Sequence, residues 1–220
     1  MTAARALLLA LLPLFAGCQS LFSASTPPLP AGERLQGALT LHDGQLQLRP
    51  CSSLPPLKVS DATAAGDLKE ATSALLDDGN PQLFADVRGA LDLQQTTLAV
   101  SRVYRLQGEG PGCADANFPR LIVRASGHEP GWSVMINREG LLLERQGEPA
   151  VALPYLEEQL PEGRLAFSSE ANQQQLQLWL TPQRCQDSAS GALSHLRAQL
   201  RLDDGRLLRG CAYYGGARND

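Results

Sequence analysis

The sequence predicts a mainly β protein made of two small antiparallel β domains, and three observations carry that expectation. Short apolar–polar alternations recur along the chain, with Asp, Asn and Gly turns between them, which is the pattern of many short strands. One stretch, residues 61–76, has helical spacing instead. Gly108, Gly110, Pro111 and Gly112 fall within five positions and divide the chain into two blocks, residues 33–108 and 114–217.

In the first block, Leu39 and Leu41 alternate with small or polar neighbours, Asp43-Gly44 offers a two-residue turn, and Leu46 and Leu48 alternate again. That predicts a hairpin over residues 35–48. Leu57-Lys58-Val59, after Pro55-Pro56, predicts a short third strand. The helix follows: Ser60 or Asp61 can cap it, Leu68, Leu75 and Leu76 give it an apolar stripe, and the run from Asp77 to Pro81 stops it. Two more strands fit residues 82–91 and 97–106. Three strands, one helix and two strands is the element order of an OB-fold, a small Greek-key barrel, so this block is expected to be an OB-like barrel with one helix plugging its end.

In the second block, residues 120–125, 132–136, 140–145, 150–153, 164–168, 174–180, 196–202 and 207–211 read as strands. The turns are Asn137 to Gly140 and Asp203-Asp204-Gly205. This predicts a second β-barrel or sandwich.

The N-terminus has a different character. Arg5 precedes an apolar run, residues 6–16, that closes on small residues before Cys18. This is the charged, apolar, small-residue layout of a secretory signal, and it is short of the roughly 20 apolar residues a membrane-spanning helix needs. Leu14-Phe15-Ala16-Gly17-Cys18 resembles the bacterial lipobox. The resemblance implies a signal peptide over residues 1–17 and a lipid, palmitate among its acyl chains, on Cys18. An ordinary secretory signal with a chance cysteine is the alternative. Residues 18–32 hold Pro27, Pro28 and Pro30 with no periodicity and read as a lipidated tether. Gln19, not aspartate, follows Cys18, so the expected location is the periplasmic side of the outer membrane, lipid-anchored.

Charge narrows the partners. The 220 residues carry 19 Lys and Arg against 23 Asp and Glu. Loss of residues 1–17 removes Arg5 alone, leaving 18 against 23, a net charge of −5. An acidic chain without a basic run is not expected to bind nucleic acid. Its membrane contact is expected through lipid on Cys18, and its partner among envelope proteins or the cell wall.

Four cysteines remain after Cys18: Cys51, Cys113, Cys185 and Cys211. An even number in an exported chain reads as disulfides. Three pairings are open, and Cys51–Cys113 with Cys185–Cys211 is the economical one. No C-x-x-C is present, so neither a zinc nor a thioredoxin-like site is indicated. His42, His128 and His195 each stand alone, and no metal or other cofactor is expected.

The densest group of unusual residues runs from Gly127 to Trp132. His128 beside Glu129 suits general acid–base work, and Trp132 suits a ligand platform. The same residues also suit a tight turn, with Trp132 covering a barrel end. No G-x-S-x-G, phosphate loop or dinucleotide fingerprint occurs. His128, Glu129 and Trp132 are therefore candidate binding residues, and no catalytic residue is assigned.

Two resemblances arise from these residues. Residues 118–214 resemble an uncharacterised family of Gram-negative envelope lipoproteins. The carrying motifs are G-x-E-P-x-W at Gly127, Glu129, Pro130 and Trp132, and C-x-D … G-C-A at Cys185, Asp187, Gly210, Cys211 and Ala212. That resemblance implies a Cys185–Cys211 bridge and no established activity. The first block is similar to the OB-type domain of the NlpE envelope-stress and copper-homeostasis lipoprotein family. The similarity rests on the 35–48 hairpin, Pro50-Cys51-Ser52-Ser53 and the strands over 89–103. The C-x-x-C of that family's other domain is absent, which removes the basis for a copper or redox role.

The expected function is a non-catalytic binding or envelope-sensing lipoprotein, not an enzyme. The alternatives are a structural subunit of an envelope complex, an inhibitor of a hydrolase such as lysozyme, and an enzyme on envelope polymers using Glu129 with His128 or Asp187.

Overall fold

Asp43 and Gly44 both take left-handed backbone angles, φ 48° and 75°, as a tight two-residue hairpin turn requires. In the computed structural model, which describes residues 32–77, 79–171 and 174–218, they join β1 (Glu33–His42) to β2 (Gln45–Pro50). His42 faces Gln45 across the turn. This register sends Leu39, Leu46 and Leu48 to the buried side. The expected signal segment, Cys18 and residues 18–31 of the tether lie outside the described residues.

β3 (Leu57–Asp61) pairs antiparallel with β2. After the helix α1 (Leu68–Asp77) come β4 (Leu83–Asp92) and β5 (Thr97–Gln107). β5 runs parallel to β3 and antiparallel to β4, and β4 pairs with β1. The circuit β1-β2-β3-β5-β4 closes a five-stranded OB-like barrel. α1 buries Leu68, Thr72 and Leu75 against its core.

The helix begins seven residues later than its sequence pattern predicts. The Ala62 amide bonds the Val100 carbonyl and keeps the chain on the barrel, and Gly66 takes φ +64°, which no helix contains. Asp61 still serves the helix from a distance: its Oδ2 accepts the Leu68 amide at 2.7 Å, and its Oδ1 accepts the Thr63 amide and hydroxyl. Burial works to raise the Asp61 pKa, but these hydrogen bonds outweigh it and hold the carboxyl below its ordinary value.

The second block forms one sheet. β6 (Val123–His128), β7 (Gly131–Ile136), β8 (Leu141–Arg145) and β9 (Val151–Leu153) make a meander. Then come β10 (Leu156–Gln159), β11 (Leu165–Ala171) and β12 (Gln174–Thr181). Two short strands, β13 (Cys185–Gln186) and β14 (Leu193–Ser194), precede β15 (Leu196–Leu202) and β16 (Leu207–Tyr214). The nine-stranded order is β10-β11-β12-β15-β16-β6-β7-β8-β9, antiparallel throughout and curled into a half-barrel. Only Pro154 and Tyr155 separate one edge strand, β9, from the other, β10. The two edges therefore come within about 11 Å of each other at that corner. Inward-facing residues such as Phe167, Leu178, Ile136 and Leu200 fill the concave side.

β13 and β14 belong to the other sheet. Leu193 pairs with Leu106 and Ser194 with Arg105, so the second block reaches back and extends the barrel's sheet beyond β5. Two further ties join the halves. Tyr104 of β5 is buried in the core of the nine-stranded sheet, and Arg34 of β1 donates to the carbonyls of Tyr214, Gly215 and Arg218. Cys51 is bonded to Cys113, joining the end of β2 to the turn after β5. Cys185 is bonded to Cys211, joining β13 to β16. Among the described residues no helix is long and apolar enough to cross a membrane.

Candidate functional site

β5 is eleven residues long, and no single strand covers its outer side. β3 pairs with it as far as Val100, and β14 takes over at Arg105. The Ala62 and His195 amides extend those pairings to the carbonyls of Val100 and Tyr104. Ser101, Arg102 and Val103 are left without a neighbouring strand on that side among the described residues. A cleft of about 1200 Å³ opens over them.

Its walls come from both halves. The first turn of α1 supplies Leu68 and Ala71, the residue before it supplies Asp67, and the β10–β11 connection supplies Gln159 to Leu165. Leu106, Leu193 and Leu196 add to the apolar surface, and Pro182, Arg184 and Arg218 stand at its margin. A mostly apolar cleft with a few convergent charged groups at a junction of two β units is where a small ligand binds by preference.

The charges in the cleft are unevenly satisfied. Arg184 pairs with Asp67, Arg164 lies 3.8 Å from Glu162, and Arg218 lies 2.6 Å from Glu157. Arg102 has no carboxylate within ion-pair distance among the described residues; its one ring contact is Tyr104, 5.9 Å from its guanidinium carbon.

His195 also lines the cleft. Its ring stacks edge-on against Tyr104 and Tyr214, each at 4.8 Å. Its Nδ1 lies 3.1 Å from the Tyr104 carbonyl, which can only accept, so Nδ1 carries the proton. Nε2 is then a bare acceptor, buried and without a hydrogen-bond partner among the described residues. Burial pushes the imidazole down to about 3; the bond to the Tyr104 carbonyl opposes that shift, and the charges of Arg34 and Arg102 add to it.

The residues singled out by the sequence sit elsewhere. His128, at the end of β6, is 48% exposed and its Nε2 lies 2.8 Å from Asp187 Oδ2. Asp187 Oδ1 accepts the amides of Ala189 and Ser190 and the Ser190 hydroxyl. Burial works to raise the Asp187 pKa, but the Ser190 bonds, then His128 and Ala189, pull it below its ordinary value. Glu129 and Pro130 are exposed at the hairpin tip.

Trp132 is not a surface platform. It is 4% exposed and belongs to the core of the nine-stranded sheet. A Cβ at Gly127 would lie 2.5 Å from its indole Nε1, and one at Gly210 would lie 3.0 Å from its Cζ2. The two glycines therefore make room for the indole. Cys185 Sγ lies 3.4 Å from the Gly210 carbonyl oxygen in the same joint and is bonded to Cys211. The pieces of the G-x-E-P-x-W and C-x-D … G-C-A motifs thus converge into one structural joint, with Asp187 holding His128 at its rim. Among the described residues no group of three or more His, Cys, Asp or Glu could hold a metal ion.

Arg102 and His195 were the residues whose place in a site sequence reasoning missed. In sequence Arg102 is one polar residue of an alternating strand, and His195 is a lone histidine beside another strand. The gap in β5 pairing that makes them neighbours has no local signal. Compared with family models, curated proteins and solved structures, the chain matches none.

Proposed function

We propose that this chain is a non-catalytic binding or envelope-sensing module, held on the periplasmic side of the outer membrane by lipid on Cys18, with the cleft over β5 as its recognition site. The observation that carries this reading is the cleft itself: about 1200 Å³, lined largely by apolar side chains, with a guanidinium at Arg102 that has no carboxylate partner among the described residues. The lipobox-like Leu14 to Cys18 supports the anchor. The OB-like strand circuit supports the NlpE-like relation of the first block.

The test is affinity capture from solubilised envelopes with the full chain, wild type against Ala71→Trp. Ala71 lines the cleft on α1, and an indole there fills it. A protein, glycan or lipid enriched by the wild type and lost with the variant supports the reading, provided circular dichroism shows both folded. Equal enrichment, or none, overturns it. Metabolic labelling with radioactive palmitate, abolished by Cys18→Ser, tests the anchor.

One observation favours a second reading. The β6–β7 tip bearing His128, Glu129 and Pro130 is exposed, as an inhibitory loop must be. Inhibition of a hydrolase such as lysozyme by the wild type, lost in Glu129→Ala, would support it.

A further inference from the structure

We propose that the cleft holds a fatty acid, an anionic single-chain amphiphile, with its acyl chain on the apolar bed between β5 and α1 and its carboxylate on Arg102. The proposal rests on the reading of the cleft as the recognition site and names its occupant.

Charge complementarity is the first argument. Arg164, Arg184 and Arg218 at the cleft are each set against a carboxylate of this chain, whereas Arg102 is set against none among the described residues. A guanidinium presents a planar fork of N–H donors that matches a carboxylate bidentately. Arg102 is exposed at the cleft, so its donors are open to an anion from outside without a carboxylate of this chain to displace among the described residues.

The bed is the second argument. Leu68, Ala71, Val103, Leu106 and Leu193 line the same cleft as Arg102. The floor beside them adds no second charge, because buried His195 is neutral and closed in by the Tyr104 and Tyr214 rings. An apolar bed with one cation that lacks a carboxylate partner among the described residues suits a ligand with one long apolar part and one anionic head.

The third argument is where the chain enters. Glu33 lies opposite Gly89, and Gly89 opposite Val100. The preceding residues therefore join the barrel two strands, about 10 Å, from the strand that carries Arg102. Residues 18–31 span at most about 50 Å when fully extended. A membrane held through Cys18 would lie within that reach of the barrel and be the nearest source of acyl chains.

The test uses cell envelopes containing the full chain and a palmitate analogue bearing a photoreactive diazirine on its acyl chain, with peptides mapped by mass spectrometry. Labelling is expected on peptides spanning residues 101–106, 159–165 and 193–196. Arg102→Gln should lower it about tenfold or more, as should replacing the carboxylate by an alcohol, because a charge-assisted pair is lost in each case. Arg102→Lys should restore part of it. Ala71→Trp should abolish it while Arg102 stays in place. Equal labelling of Arg102→Gln, equal labelling by the alcohol, or label spread over the outer surface overturns the proposal. So does capture in the cleft of a second copy of the chain or of its own residues 1–31. If palmitate fails but an envelope component is still captured by the wild type and lost with Ala71→Trp, the fatty acid is excluded and the binding reading stands. If both fail, both fall.

Discussion

Arg34 closes a bidentate ion pair on Asp86, with Nε 2.9 Å from Oδ1 and Nη2 2.6 Å from Oδ2, and both side chains are sealed from solvent at 5% and 0% exposure. The remaining donors of the same guanidinium reach the carbonyls of Tyr214 at 2.7 Å, Gly215 at 2.9 Å and Arg218 at 2.7 Å. One side chain thus ties β1 and β4 of the barrel to the chain that leaves β16. Removing one partner of a buried pair strands the other charge, at a cost of about 3–5 kcal/mol. Arg34→Ala is expected to cost that much in urea denaturation. Arg34→Lys should recover little, because an ammonium cannot form the fork. An unchanged midpoint in Arg34→Ala would show that Asp86 is solvated.

The Cys185–Cys211 bridge closes a separation of 26 residues and crosses from the barrel's extended sheet to the nine-stranded one. A loop of that size is worth roughly 2–4 kcal/mol. The double variant Cys185→Ser with Cys211→Ser should lose that much, and hydrogen exchange should speed first at the amides of β13 and β14, whose two-residue pairings are the shortest in the sheet. Exchange that speeds uniformly over both sheets would contradict the bridge's placement as a local clasp.

The first block was legible because its signals are local. Asp43-Gly44 carries its own turn chemistry, and Leu46 and Leu48 show the alternation of a half-buried strand. The start of α1 was not legible. Ala62, Ala64 and Ala65 favour helix on propensity, but the bond from Ala62 to Val100 is a long-range one and overrides it. β13 and β14 gave no signal, since two residues cannot alternate and β5, the strand that β14 joins, lies about 90 residues earlier. The G-x-E-P-x-W segment was conspicuous for a structural reason: Gly127 and Trp132 interlock, and the exposed chemistry is confined to His128 and Glu129. The cleft depends on how far β3 and β14 each extend along β5, a property of pairing lengths that no short window of sequence contains.

Gly210 is held to glycine by contact on two sides. A Cβ there would lie 1.9 Å from the Ser126 carbonyl oxygen and 3.0 Å from Trp132 Cζ2. Neither is a flexible chain end, so the strand or the indole must shift. Forced overpacking of this kind costs about 1–3 kcal/mol. Gly210→Ala should lower the urea midpoint accordingly and change the emission of Trp132. The reference for that emission is Trp132→Phe, which leaves Trp179 as the remaining tryptophan. A neutral Gly210→Ala would mean that β16 and β6 do not approach this closely.

His195 gives the fold a pH dependence whose sign follows from its pKa of about 3. Unfolded, the imidazole titrates near its ordinary value of 6.5. Between those two values the unfolded chain binds a proton that the folded chain does not, so stability rises with pH across that window and falls as the medium is acidified. The slope is about 1.4 kcal/mol for each pH unit while the folded ring stays neutral. Asp61 and Asp187 add to the loss only at lower pH: their folded pKa values are depressed, so their contribution is present above the ordinary carboxylate range and disappears as the pH falls through the folded values. Urea denaturation at pH 7 and pH 5 therefore isolates the histidine. The wild type should lose about 2 kcal/mol between the two, and His195→Gln should lose much less, whatever its stability at pH 7. If the two chains lose stability in parallel, His195 takes up its proton in the folded state and its ring is not closed in by Tyr104 and Tyr214.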